Sequence, residues 1–234
     1  MNKGKTVSAI ISVYNEERTI ENVITSLLNC YLIDELIVVN DGSTDKSGQI
    51  ISKLQESYSF KHIDFPQNRG KSFAMATGVE SAQGEVIVFV DADIIGLKCS
   101  HIQKMLYPLL NGEADMVIGQ PYAGSKKKRD DPLKPLELLA GERAVYRQDV
   151  LPIIDKMKHA RYGAETLMNL YFKSQKKRIK IEYLWGLIHL KKFQKKSFHH
   201  SFKDYSIEAI HIFRTIAANY LLLATVAKNF ILKG

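Results

Sequence analysis

Residues 84–93 read G-E-V-I-V-F-V-D-A-D, and few architectures accommodate such a stretch. Val86 to Val90 is an unbroken run of β-branched and aromatic residues. Such a run suits a strand buried on both faces, as in a parallel sheet covered by helices. Asp91 and Asp93 follow, and extended backbone would point both to one side. Two carboxylates at a strand end repel each other and are costly to desolvate, and a divalent cation would relieve both problems. Mg²⁺ and Mn²⁺ prefer carboxylate oxygens and are commonly shared with substrate phosphates. A lone D-x-D is more often a solvated turn. This one lies at the carboxyl end of a buried strand, where open α/β sheets bind ligands, and that position favours function.

The rest of the first half repeats one alternation. Strands are expected at Val7–Val13, Asp34–Asn40, Phe60–Phe65, Glu85–Val90 and Asp115–Gly119. Between them the apolar spacing predicts helices over Arg18–Leu28, from Ser43 or Thr44 (as N-cap) to about Ser57, over Ser72–Ser81, and over Cys99–Leu110. Strands alternating with helices of this length imply βαβ units and a mostly parallel sheet flanked by helices. After Gln120 the pattern changes. Tyr122–Pro135 is polar, carries Lys126-Lys127-Lys128-Arg129, and reads as a lid that orders over the diphosphate or acceptor. A helix near Val150–Met157, short strands at Arg178–Leu184 and Gly186–Leu190, and a long helix over Lys203–Leu232 complete the expectation. The pattern divides the chain at about residues 120 and 200, with 201–234 as a helical tail.

Charge sharpens that division. Residues 1–120 carry 10 Lys+Arg against 15 Asp+Glu, whereas residues 121–234 carry 23 against 10, so the net +8 is concentrated in the second half. A basic half can face nucleic acid, an anionic membrane or a phosphorylated substrate. RNP-like aromatics and zinc spacings are absent, which argues against nucleic acid. The N-terminus enters a strand pattern with no signal-peptide apolar region. Cys30 and Cys99 show neither metal-ligand spacing nor a disulfide framework, which points to a reducing, cytoplasmic location.

Several further stretches carry chemistry. Asp41 follows the second strand in D-G-S-T-D, where a carboxylate can accept from a base or ribose, although the same residues also make ordinary turns. Asn68-Arg69-Gly70-Lys71 opens a helix, and a glycine, a helix N-terminus and a lysine together suit a diphosphate. Glu165 begins an apolar helix pattern and is either a general base or a first-turn glutamate favoured by the helix dipole. His189 stands in L-I-H-L, either as a core histidine or as an imidazole ligand.

Taken in order, S-A-I-I-S-V-Y-N-E-E, V-V-N-D-G-S-T-D, N-R-G-K-S-F-A-M-A-T-G and V-F-V-D-A-D resemble the family-2 glycosyltransferases of GT-A fold. G-E-R-A-V-Y-R, Y-G-A-E and a later histidine are similar to the second half of glucosyl-3-phosphoglycerate synthase-like bacterial enzymes. The resemblance implies an α/β, Rossmann-like GT-A domain, with 1–120 as its nucleotide-sugar-binding half and 121–200 as the smaller acceptor-binding half of the same domain. It implies a nucleotide-sugar donor, a UDP-sugar above all, and Mg²⁺ or Mn²⁺. By motif position Tyr14, Glu16, Asp41, Lys71, Asp91 and Ala92 would bind the nucleotide-sugar. Asp93, His189 and Asp91 would hold the metal, and Glu165 with Asp93 would be catalytic. Where many members carry an E-D pair this chain has Glu165-Thr166, and both inversion and retention stay open.

Three other readings compete. A sugar-nucleotide pyrophosphorylase would want a Gly-rich, Arg-containing loop after the first strand. A Rossmann dehydrogenase would want G-x-G-x-x-G there, and Tyr14-Asn15-Glu16-Glu17 has no glycine. A non-catalytic membrane-surface module would use the basic second half. Ile216–Leu232 is largely apolar, but its uninterrupted core is far short of the ~20 residues a span needs. Beside Lys191, Lys192, Lys195 and Lys196 it suits an interfacial anchor on the inner face of an anionic membrane, delivering a lipid-linked or phosphorylated acceptor. It equally suits a helix packed on the core or forming a homodimer.

Overall fold

The structure, a computed structural model, describes residues 4–122, 140–161, 163–190 and 214–231. The strands are β1 (Val7–Val13), β2 (Glu35–Asn40), β3 (Lys61–Asp64), β4 (Val86–Asp91), β5 (Ile94–Ile95), β6 (Met116–Tyr122), β7 (Arg143–Tyr146), β8 (Ile179–Trp185) and β9 (Ile188–His189). The helices are α1 (Ile20–Leu28), α2 (Ser47–Gln55), α3 (Lys71–Ser81), α4 (Cys99–Leu110), α5 (Arg147–Val150), α6 (Ile154–His159), α7 (Ala164–Ser174) and α8 (Tyr220–Ile231). Seven strands form one sheet in the order β3-β2-β1-β4-β7-β6-β8, and β5 pairs with β9 in a small second sheet.

The apolar runs explain the layering. Every residue from Val86 to Val90 is buried, because helices cover both faces of β4. Val7, Ile11, Val38, Val86 and Val88 pack with α1 and α4 on one side. Ile10, Ile37, Ile87 and Phe89 pack with α3 and α7 on the other. Each buried Val, Ile or Phe contributes about 1.5–3 kcal/mol relative to exposure, and burial on both faces doubles what one strand can collect.

Four findings differ from the sequence expectation. Within G-E-R-A-V-Y-R, Arg143–Tyr146 is a strand, and it runs antiparallel between β4 and β6. This insertion threads the second half of the chain into the sheet of the first. Ser43 and Thr44 do not cap α2. Asp45 Oδ1 and Glu17 Oε2 accept from the Ser47 and Lys46 amides instead, while Asn15 Oδ1 holds the Thr44 and Asp45 amides. The loops after β1 and β2 therefore brace each other. The region expected as one helix near Val150–Met157 is α5, a 3₁₀ turn (Leu151–Ile153) and α6, bent at Pro152. Finally, Cys30 and Cys99 are disulfide-bonded. Their separation of 69 residues hid the pairing. One follows the end of α1 and the other opens α4 on the same face of the sheet, so the inference of a reducing compartment loses its support.

Tyr122 is the end of β6, and most of the loop running from it to Pro135 lies outside the described residues, as does the basic stretch at Lys191–Lys196. Of the expected tail helix, residues 214–218 and α8 are helical. One face of α8 packs on α7, with Asn229 Nδ2 donating to the Ser174 carbonyl at 3.1 Å. Tyr220, Leu221 and Leu223 are exposed on the other. Among the described residues no helix is long and apolar enough to cross a membrane.

Candidate active site

The chemically active side chains gather where β1, β2 and β4 end and where β7 begins. In the parallel part of the sheet this is the carboxyl edge. Asp41, just past β2, is 2% exposed. Its Oδ1 accepts from the Arg69 amide at 2.7 Å, and its Oδ2 accepts from the Gly70 amide at 2.9 Å and Asn68 Nδ2 at 3.0 Å. Burial pushes this carboxyl up, and the two amides oppose the shift. Asp41 thus shapes the N-R-G-K turn. Gly70 takes φ +98° there, a conformation side chains rarely tolerate.

That turn delivers Lys71 as the first residue of α3. Its Nζ lies 2.7 Å from Asp91 Oδ1 and 2.7 Å from Glu165 Oε1. Burial alone would lower this ammonium, but the two carboxylates outweigh it and hold Lys71 well above 10.5. Glu165 stands in the first turn of α7 and is 6% exposed. Ser72 Oγ accepts from the Ala164 amide at 3.0 Å and so ties the start of α7 to α3.

The second cluster forms around His189. The β5–β9 pairing sets Ile94 opposite His189, which brings the imidazole to the Asp91-Ala92-Asp93 turn. His189 Nδ1 is 3.0 Å from Asp93 Oδ1, and Nε2 is 3.7 Å from Glu142 Oε2. Burial opposes the charged imidazole, but Asp93 and Glu142 more than offset it and raise His189 to about 11. Ligand atoms of Asp91, Glu142 and His189 lie within 4.8 Å of one another. Gly141 makes room for this grouping, since a Cβ there would collide with the Asp91 carboxylate.

Glu142 and Arg143 were not singled out in the sequence. Both are fully buried. Among the described residues neither carboxylate oxygen of Glu142 has a hydrogen-bond partner; burial first, then the Asp91 charge, push its carboxyl up, and the His189 imidazole opposes them. Arg143 Nη1 donates to Asn169 Oδ1 at 2.8 Å and Nε to the Ala140 carbonyl at 3.1 Å. Desolvation lowers Arg143 to about 10 against the opposing charges of Glu165, Asp91 and Glu142. A usable signal was present: two adjacent charges inside A-G-E-R-A-V, a segment otherwise small and apolar. Of the remaining expected residues, Tyr14 is 40% exposed beside β1 and Ala92 is buried within the D-x-D turn. The Glu16 amide donates to Ser47 Oγ at 2.8 Å, which fixes its loop against α2. The site therefore joins Lys71, Asp91, Glu165, Asp93, His189 and Glu142, while Tyr14, Glu16 and Asp41 lie towards the β1–β2 side.

The family model for glycosyl transferase family 2 matches residues 8–183, three quarters of the chain. The chain belongs to that family. Its fold is GT-A. Glucosyl-3-phosphoglycerate synthase from Mycobacterium tuberculosis, in complex with Mn²⁺, UDP and glucosyl-3-phosphoglycerate, superposes with a TM-score of 0.70 at 22% identity. The match covers 92% of this chain and 80% of that one, and at this identity it is a likeness of fold. The same enzyme with Mg²⁺ and UDP gives a TM-score of 0.63 at 25% identity, over 80% and 72% of the two chains. Poly-β-1,6-N-acetyl-D-glucosamine synthase from Staphylococcus epidermidis is 34% identical over 90 residues, which is 38% of this chain but only 22% of that protein.

Proposed function

We propose that this glycosyltransferase moves a sugar from a UDP-sugar to a hydroxyl of a phosphorylated acceptor with the help of Mg²⁺ or Mn²⁺. The observation that carries the reading is the convergence of Asp91, Glu142 and His189 within 4.8 Å at the sheet's carboxyl edge. The donor set suits such an ion. Carboxylate oxygens are the preferred ligands of Mg²⁺ and Mn²⁺, and imidazole suits a transition-series ion. Glu142 is fully buried, and among the described residues only the His189 imidazole, 3.7 Å from Oε2, offsets its charge, so a cation would satisfy it further. Asp93 Oδ1, 3.0 Å from His189 Nδ1, faces the same group of ligand atoms. Asp91, Asp93, Glu142 and His189 would hold the ion. When bound, such an ion neutralises the charge that develops on a diphosphate leaving group.

The chain's own groups do the rest. Lys71 is cationic throughout the ordinary pH range and stands between Asp91 and Glu165, within reach of both the donor and acceptor sides. Glu165, oriented by Lys71 and by the start of α7, would orient the acceptor hydroxyl and take its proton. Tyr14, Glu16, Asp41 and Ala92 lie around the loops that would receive the nucleoside. The crystallised glucosyl-3-phosphoglycerate synthase carries UDP with Mn²⁺ or Mg²⁺ and, in several complexes, phosphoglyceric acid, which supports the same donor and acceptor classes here. The exposed Tyr220, Leu221 and Leu223 on α8 are compatible with an acceptor carried on a membrane surface. Asp93→Ala tests the proposal. The variant should keep its fold and lose Mn²⁺-dependent UDP release from a UDP-sugar. Near-normal turnover with Mn²⁺ would remove Asp93 from the site.

A further inference from the structure

A second concavity lies away from the carboxylate cluster, between α6 and the helical residues 214–218. It encloses about 500 Å³, a volume in the range of small-ligand sites. Lys156, His159, Arg161, Arg214 and Asn219 line it together with one acid, Asp155. Lys158, on the same helix as Lys156, is paired with Glu80. Among the described residues Lys156, Arg161 and Arg214 form no ion pair, with Asp155 or with any other carboxylate. Three unpaired cations around one concavity repel one another, and a bound anion would remove that penalty.

The concavity is fastened to the active site. Arg161 holds a left-handed φ of 52°, uncommon for a residue with a side chain. Its carbonyl accepts from the Ser72 amide at 2.7 Å, and its Cα packs against Gly70. It is thus locked to the start of α3, one residue from Lys71 on either side. Thr215 packs against Gly163, the residue before α7 and two before Glu165. The wall that carries the cations therefore continues into the loop that carries Glu165.

We propose that this concavity is a phosphate-binding subsite on the acceptor side. It takes the phosphate monoester or diester of the acceptor, held by Lys156, Arg161 and Arg214 with Asn219 as a neutral donor. Guanidinium and ammonium groups are the side chains that recognise phosphate, and charge-assisted bonds of this kind are the strong ones. The word acceptor rests on the glycosyltransferase reading above, whereas phosphate binding at this place does not. The same chemistry is offered by a small phosphorylated hydroxy compound and by a lipid headgroup.

The test uses the full chain and two probes. Glycerol 3-phosphate, with glycerol as its neutral control, is titrated by calorimetry. Phosphatidic acid in phosphatidylcholine vesicles, against phosphatidylcholine alone, is tested by co-sedimentation. Lys156→Gln and Arg214→Gln are made singly and together. Both side chains are exposed, and urea midpoints check that the fold survives. The expectation is that one phosphate probe binds the native chain while its neutral control does not. The double variant should bind that probe roughly ten-fold or more weakly, each single variant less so, with UDP–Mn²⁺ affinity unchanged. Binding of glycerol 3-phosphate identifies a small phosphorylated ligand, and binding of phosphatidic acid vesicles alone identifies a lipid headgroup. Failure of both phosphate probes, or binding that the double variant retains in full, overturns the proposal. Loss of UDP binding in every form, with phosphate binding intact at these residues, would overturn the donor assignment and leave this subsite standing.

Discussion

Replacing Lys71 by Met removes the charge on which two carboxylates depend. In the folded protein Lys71 Nζ lies 2.7 Å from both Asp91 and Glu165, whose side chains are only 17% and 8% exposed. Removing one partner of a fully buried ion pair costs about 3–5 kcal/mol, because the other charge is left uncompensated. Lys71 itself is 28% exposed, so solvent relieves part of that penalty. We expect Lys71→Met to lose about 2–4 kcal/mol at pH 7. With a urea slope of about 2 kcal/mol/M, the unfolding midpoint would fall by roughly 1–2 M. The sign with pH is fixed by the raised ammonium. Because its folded value lies above 10.5, the stabilisation is complete below the unfolded value and drains away only as pH climbs through the folded one. The difference between native and variant should therefore persist from neutral pH to about pH 10 and shrink above it. Added Mn²⁺ should restore more stability to the variant than to the native chain. A variant within about 1 kcal/mol of the native protein at pH 7 would refute the reasoning, since that is what an exposed pair is worth.

Glu142→Gln should act in opposite directions on two observables: the ion-free protein becomes more stable to urea, and Mn²⁺ affinity measured by calorimetry falls roughly 10–100-fold. Unchanged Mn²⁺ affinity would take Glu142 out of the ion site. Asp115 receives the Arg178 amide at 2.7 Å and its guanidinium at 3.2 Å, which hold the carboxyl below 3.8. Its stabilising effect is present above 3.8 and lost as pH falls through the lowered value, so Asp115→Asn should be less stable than the native chain by about 1 kcal/mol at pH 7, with the gap closing below about pH 4. A gap that is unchanged at pH 3 would contradict this. Thiol titration of the unfolded, unreduced protein should read no free thiol, and reduction should lower stability by up to about 4 kcal/mol for a closed loop of this length. One or two free thiols before reduction would remove the disulfide from the account.

Why some of this was legible in the sequence, and some not, follows from how each element is specified. The strands β1, β2 and β4 announce themselves because burial on both faces demands continuous apolar runs. The D-x-D turn and the N-R-G-K turn are legible because their chemistry is local. Lys71, Asp91 and Glu165 were each named, but the two ion pairs that unite them join residues 20 and 94 positions apart and depend on the sheet order. β7 went unseen because its four residues have no alternation or length to mark a strand, and β4 and β6 on either side specify it instead. Glu142 was missed with it, as its role comes from β7 beginning where β4 ends. The pairing of Cys30 with Cys99 was equally invisible, since it is set by α1 ending and α4 beginning on the same face of the sheet rather than by spacing.

The account stands or falls on a donor screen with the full chain. UDP-, GDP- and TDP-sugars would be supplied with and without Mn²⁺ or Mg²⁺, and release of the nucleoside diphosphate measured. The proposed function predicts turnover of a UDP-sugar that requires the divalent ion, is abolished in Asp93→Ala and is strongly reduced in Glu142→Gln. Turnover that is unaffected by chelating the ion, or a strict preference for GDP- or TDP-sugars, would contradict the proposed donor site.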